Sequence, residues 1–146
     1  MKKILVCLYL ILFLGSNNFL CAQEIAKGEE LYQKLIIETL NPYFEALKNG
    51  DVTSIKLHIS EGMYERYKVL LEKNKDYPEF LRNYYRDVDF WIEKVERIGH
   101  DILASAIIKF PNHESINSKF LLREKMDDVS PEVVGGRWKI VKQISE

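Results

Sequence analysis

From Asp89 to Ile144 the chain carries three long apolar or alternating runs and a shorter final one, each bounded by turn-forming residues. Phe90 to Ile98 is rich in aromatic and β-branched residues, and Gly99-His100-Asp101 follows as a turn. Ile102 to Phe110 is almost wholly apolar, as in a central strand buried on both faces or a buried helix, and the flanking turn residues favour the strand. Pro111 to Glu114 closes it. Ile116 to Lys125 alternates again, with Ile116, Ser118, Phe120 and Leu122 on one side and Asn117, Lys119, Leu121 and Arg123 on the other. A connection containing Pro131 and Gly135-Gly136 leads to a half-buried strand over Arg137 to Ile144, in which Trp138, Ile140 and Ile144 share a face opposite Arg137, Lys139, Val141 and Gln143. Two consecutive hairpins and a returning strand describe an antiparallel sheet of about four strands, which the rest of the chain has to cover.

The N-terminus begins Met1-Lys2-Lys3, continues through the apolar Ile4 to Leu14, and reaches Leu20-Cys21-Ala22 before Gln23-Glu24. A basic start, a short apolar run and a small residue before a polar one predict a secretory signal peptide over 1–22, cut near Ala22, with one domain over 23–146. Gly15 to Asn18 breaks the apolar run short of the roughly 20 residues needed to span a bilayer, which argues against an uncleaved anchor. Lipidation at Cys21 is the other alternative. Leu20 stands where a bacterial lipoprotein signal wants Gly, Ala or Ser, so the expected location is exported, periplasmic or secreted.

Both cysteines, Cys7 and Cys21, lie in the segment to be removed. The remaining domain would hold no disulfide, thiolate metal site or cysteine nucleophile. Losing Lys2 and Lys3 from 21 basic residues leaves 19 against 22 acidic ones, a net charge of about −3. No basic patch points to nucleic acid.

Before the strands the pattern is helical. Leu31, Leu35, Ile36, Leu40, Tyr43, Phe44 and Leu47 recur at spacings of three and four, with charged residues between them. Asn41-Pro42 lies inside this stripe as a candidate helix restart, and because the stripe resumes in phase a kink is expected there. Gly50 suits the left-handed position past a helix end and Asp51 the cap of the next helix, whose inner side carries Val52, Ile55 and Ile59. A break is expected at Glu61-Gly62, then a stripe of Met63, Tyr67, Leu70 and Leu71, a polar loop over Lys73 to Asp76, and a final helix with Pro78 near its start. Helices followed by strands predict the α+β class, with helices packed on one face of an antiparallel sheet.

The helix ending Phe44-Glu45-Ala46-Leu47-Lys48-Asn49-Gly50-Asp51, the run Asp101-Ile102-Leu103-Ala104-Ser105-Ala106 and the closing Gly136-Arg137-Trp138-Lys139-Ile140 resemble the nuclear-transport-factor-2-like (NTF2-like) superfamily, nearest its small secreted bacterial members of unknown function. The resemblance covers about the whole of 23–146, and its motifs are structural. It implies a cone in which a curved sheet wraps the helices and leaves a pocket at its open end, and often a dimer through the sheet. Enzymes such as ketosteroid isomerase share this fold with many binding domains, so the fold selects no function.

The chemistry-bearing residues are few. His58 lies beside the Ile55 and Ile59 stripe, where a packed boundary histidine is the ordinary outcome and an acid–base role the sharper one. His100 and His113 fall in turns, and no histidine pair has metal-ligand spacing, so neither a metal nor a cofactor is expected. Glu93, Glu96 and Glu124 alternate with Lys94, Arg97, Arg123 and Lys125, as in cross-strand charge pairs on a wet sheet face. No phosphate loop, nucleophile elbow or dinucleotide fingerprint occurs.

Three roles follow as expectations. The first is a non-enzymatic domain binding a small apolar ligand, through a pocket of Tyr43, His58, Tyr67 and Tyr84, or an envelope protein. The second is an isomerase-like or hydrolase-like enzyme using His58 or a buried acid. The third is a structural homodimer module of an envelope assembly, joined through Trp91, Val95 and Val141 on the outer sheet face.

Overall fold

A computed structural model describes residues 28–112, 114–125 and 138–145. The expected signal segment, with Cys21 and the cut near Ala22, lies outside the described residues, as do His113 and the connection over 126–137. The chain divides into two units, Met1–Lys34 and Leu35–Glu146. In the first, residues 28–34 are helical. No helix among the described residues is long and apolar enough to cross a membrane.

The second unit is α+β in the expected order. A π-helical turn, Ile36–Leu40, leads into α1 (Asn41–Asn49), then α2 (Val52–His58), α3 (Glu61–Lys68), a second π turn (Val69–Lys73) and α4 (Tyr77–Tyr85). Four strands follow: β1 (Asp89–Ile98), β2 (Asp101–Lys109), β3 (Ser115–Glu124) and β4 (Trp138–Ser145). They form one antiparallel sheet in the order β1-β2-β3-β4.

Pro42 does not restart a helix. Asn41 is itself helical, at φ −61° and ψ −48°, and its N–H reaches back to the Ile36 carbonyl. Proline has no N–H and crowds the carbonyl four residues earlier, and one wide turn relieves both defects while the helix continues. The next boundaries are capped by side chains. Gly50 ends α1 at φ 61° and ψ 30°. The Asp51 carboxylate accepts from the Ser54 N–H at 3.0 Å and the Ser54 hydroxyl at 2.7 Å. The break expected at Glu61-Gly62 falls earlier, at Ile59-Ser60, because Ser60 caps α3 by accepting from the Met63 N–H at 3.2 Å.

The core lies between the helices and one sheet face. On β2, Ile102, Ala104, Ala106 and Ile108 are buried, and on β3 so are Ser118, Phe120 and Leu122, on the side the alternation assigned. The outward residues of β2, Leu103, Ser105 and Ile107, are half-buried, which corrects the expectation of a strand buried on both faces. An aromatic cluster fixes α1 to the sheet. Phe44 stacks on Phe90 at 4.4 Å between centroids, and Tyr43 and Phe44 both meet Phe120 edge-on at 6.2 and 5.4 Å. Each such pair contributes roughly 0.5–1.5 kcal/mol beyond its buried area.

Two bulges break the register. Ile92 pairs with Ala106 but Lys94 with Ser105, which leaves Glu93 as an extra residue in β1. Leu122 pairs with Ile140 but Leu121 with Lys142, which leaves Val141 extra in β4. Each bulge exchanges the faces of every residue beyond it. Ile144 therefore pairs with Lys119 on the outer face, and Gln143 pairs with Phe120 on the inner one, the reverse of the alternation read from the sequence.

Candidate functional site

Gly50 positions the site. At this point α4 crosses the end of α1 so closely that a Cβ on Gly50 would lie 2.1 Å from the Pro78 carbonyl oxygen. The positive φ and the absent side chain are both required here. This approach sets Tyr77, Leu81 and Tyr85, spaced by four on α4, opposite Tyr43 and Leu47 of α1. On the third side, β4 holds the end of α2 and the start of α3. The Ser60 N–H donates to the Ile140 carbonyl at 2.9 Å, Ile59 bridges Ile140 in parallel, and the Lys139 ammonium donates to the Leu57 carbonyl.

These elements enclose a cavity of about 180 Å³. Its aliphatic wall comes from Leu47, Ile55, Ile59, Met63, Leu71 and Leu81. Its polar groups are the phenols of Tyr43, Tyr67, Tyr77 and Tyr85 and the amide of Gln143. The phenols descend from mouth to floor: Tyr67 is 42% exposed, Tyr77 and Tyr85 are half-buried, and Tyr43 is 4% exposed.

Burial is the first cause that holds the Tyr43, Tyr77 and Tyr85 hydroxyls in the neutral form. It pushes Tyr85 up to about 12, and the neighbouring Tyr84, Tyr77 and Tyr67 hydroxyls add to the effect. Tyr43 and Tyr77 are raised from the ordinary phenol value for the same first reason. Each of these hydroxyls remains a neutral donor and acceptor at physiological pH. Among the described residues no carboxylate, ammonium, guanidinium or imidazole lines the cavity.

Of the residues expected in a pocket, Tyr43 and Tyr67 line this cavity. His58 is buried at the end of α2, at 5% exposure, but does not line it. Tyr84 points away: it is 47% exposed, stacks on Phe80 at 5.5 Å and meets Phe110 edge-on at 5.3 Å. Tyr77 and Tyr85 take its place, and the spacing of four through Leu81, the one fully buried residue of α4, is the signal that finds them. Leu70 is exposed at the edge of its stripe while Leu71 lines the cavity.

Gln143 was hidden by the β4 bulge. Its signal is an inconsistency in the alternation: without a bulge, Lys142 would join Trp138 and Ile140 on the inner face.

The outer sheet face is divided by the same bulges. Trp91, 42% exposed, pairs with Ile107 on this face, but Val95 pairs with the buried Ala104 on the inner side. Val141 is the unpaired bulge residue, so the three do not form one patch. The expected charge pairs are partly rearranged. Arg123 grips Asp101 across the strands with two bonds of 2.8 and 2.7 Å, and Lys94 pairs with Glu96 along β1. The Arg123 hydrogen bonds hold the Asp101 carboxyl below its usual range. No group of three His, Cys, Asp or Glu placed to hold a metal occurs among the described residues.

The class defined by fold and site is an α+β domain with one sheet face turned to helices and a phenol-lined cavity between them. No family model matches the chain. No curated protein matches it either. A solved structure described as an NTF2-like protein of unknown function from Shewanella baltica OS155 is similar, with 16% sequence identity and a TM-score of 0.49, over 80% of this chain and 93% of that one. No activity passes from that protein to this chain.

Proposed function

We propose that this chain is an exported domain that binds a small, neutral molecule carrying both apolar and hydrogen-bonding groups in the cavity between α1, α2, α3, α4 and β4. The observation that carries the reading is the composition of the wall: aliphatic side chains, phenols and one carboxamide residue, with no carboxylate, ammonium or imidazole among the described residues. Concave sites with apolar walls and a few convergent polar groups are the usual form of small-molecule sites. The volume sets the scale of the ligand. A cavity of about 150 Å³ holds benzene, so about 180 Å³ admits one ring with a small substituent.

Binding is favoured over catalysis by the same list. General acid–base work at neutral pH needs a group that titrates near that pH, and raised phenols do not. The basic, apolar and small-residue pattern at the N-terminus supports export, and the envelope is then where the ligand would be met.

Native mass spectrometry of the protein recovered from the envelope of its own host tests the reading. The expected spectrum shows the chain carrying a small neutral adduct that is lost when Leu81 is replaced by Trp to fill the cavity. An adduct that survives Leu81→Trp, or a bare chain under conditions that preserve weak complexes, would contradict it.

A further inference from the structure

The β4 bulge does more than relieve the sheet. Continued alternation from Ile140 would turn Lys142 and Ile144 inward beside Phe120 and Ser118. The extra residue, Val141, instead sends Lys142 to the exposed face and brings Gln143 opposite Phe120, where it reaches the cavity. Bulges of this kind re-aim a side chain next to a site. The anchor is local: Ile140, just before the bulge, is fully buried, bridged to Ile59 and hydrogen-bonded through its carbonyl to Ser60. Gln143 lines the cavity, and among the described residues none hydrogen-bonds its side-chain amide.

A tyrosine hydroxyl rotates and serves as donor or acceptor as required, so the four phenols impose little pattern on a ligand. A carboxamide differs, because it presents an N–H donor and a C=O acceptor side by side at fixed spacing. We infer that Gln143 is a specificity-determining residue of this pocket, and that the ligand presents a complementary amide-like edge, a donor beside an acceptor, on a single-ring apolar body. Primary amides, lactams and the imide or amide edges of small heterocycles are the chemical class that fits. The inference rests on the pocket reading above, and the phenols' neutrality supports the choice of an uncharged partner.

The test compares benzamide with ethylbenzene, a probe of similar size without the polar edge, by isothermal titration of the purified protein, of Gln143→Leu and of Gln143→Met. A buried hydrogen-bonding site disfavours an analogue that leaves its groups unpaired, and roughly tenfold or more tighter binding of benzamide is expected in the parent protein. In Gln143→Leu that preference should fall to near unity while ethylbenzene binds as well as before or better, an outcome that a merely damaged fold does not produce. Should Gln143→Leu fail to fold, Gln143→Met, which keeps the unbranched shape and removes both the donor and the acceptor, should lower the benzamide preference in the same direction.

Equal binding of the two probes to the parent protein, or a preference that survives both substitutions, would overturn the role of Gln143 and leave the pocket standing. Binding of neither probe to the parent protein would overturn the pocket and this inference together.

Discussion

Two glycines with nearly the same backbone conformation separate strain from close packing. Gly50 has φ 61° at the end of α1, and Gly99 has φ 62° in the β1–β2 turn. Alanine at either position carries the left-handed penalty of about 1–2 kcal/mol. At Gly99 nothing lies within 4 Å of a new Cβ. At Gly50 the Cβ would stand 2.1 Å from the Pro78 carbonyl oxygen, 2.9 Å from its carbon and 3.0 Å from Arg82 Cγ, so α4 has to move.

Forcing atoms into packed structure costs about 1–3 kcal/mol more, and the neighbour here is backbone rather than a pliant side chain. Gly99→Ala should therefore lose about 1–2 kcal/mol and Gly50→Ala about 2–5 kcal/mol. Urea unfolding of both variants measures this, with an unchanged m-value showing that the midpoint shift reports stability. Because Tyr77, Leu81 and Tyr85 ride on α4, Gly50→Ala should also weaken binding in the cavity, and Gly99→Ala should leave it intact. Equal losses from the two substitutions would refute the close α1–α4 approach and the geometry built on it.

Phe120→Ala removes a ring that is 1% exposed and meets both Tyr43 and Phe44; a loss of about 3–5 kcal/mol in chemical unfolding is expected, and Phe120→Leu should lose less. Alkaline titration followed by phenolate absorbance should show Tyr85 ionising near 12, with Tyr43 also late, against about 10 for a free phenol. Because the folded values lie above the unfolded one, the stability these neutral phenols contribute is complete below about pH 10 and is lost as pH rises through about 12. Tyrosines that all titrate together near 10 in the folded protein would contradict the buried cluster. Asp51→Ala removes the cap of α2, with its bonds to the Ser54 N–H and hydroxyl, and should lower stability by about 1 kcal/mol in thermal unfolding, with Asp51→Asn recovering most of it.

The legible parts of this fold are those where one short-range rule applies without interruption. β3 has no extra residue of its own, and its alternation gave the correct inner face through Ser118, Phe120 and Leu122. Gly50-Asp51 and Pro78 have conformational preferences strong enough to mark helix ends by themselves. The missed features are phase errors. One extra residue in β1 and one in β4 exchange the faces of Val95, Gln143 and Ile144, and only the awkward inward placement of Lys94 and Lys142 hints at it. Tyr84 and Tyr85 are adjacent on an amphipathic helix, so the choice between them depends on a rotation that Leu81 fixes through tertiary packing. Phe80 and Phe110, which stack with Tyr84 on the outside, give that outer side an aromatic character that sequence composition assigns to a core. The meeting of Gly50 with Pro78 joins two elements across the fold, and no local pattern encodes it.

The proposed ligand site is the cavity between the helices and β4, and not the outer sheet face. Methyl-selective NMR of the protein titrated with benzamide tests it most directly. Shift changes are expected at Ile55, Ile59, Met63 and Leu81, with Ile107 and Ile144 on the outer face unmoved. Shifts confined to Ile107 and Ile144, or none anywhere up to the solubility limit of the probe, would contradict it.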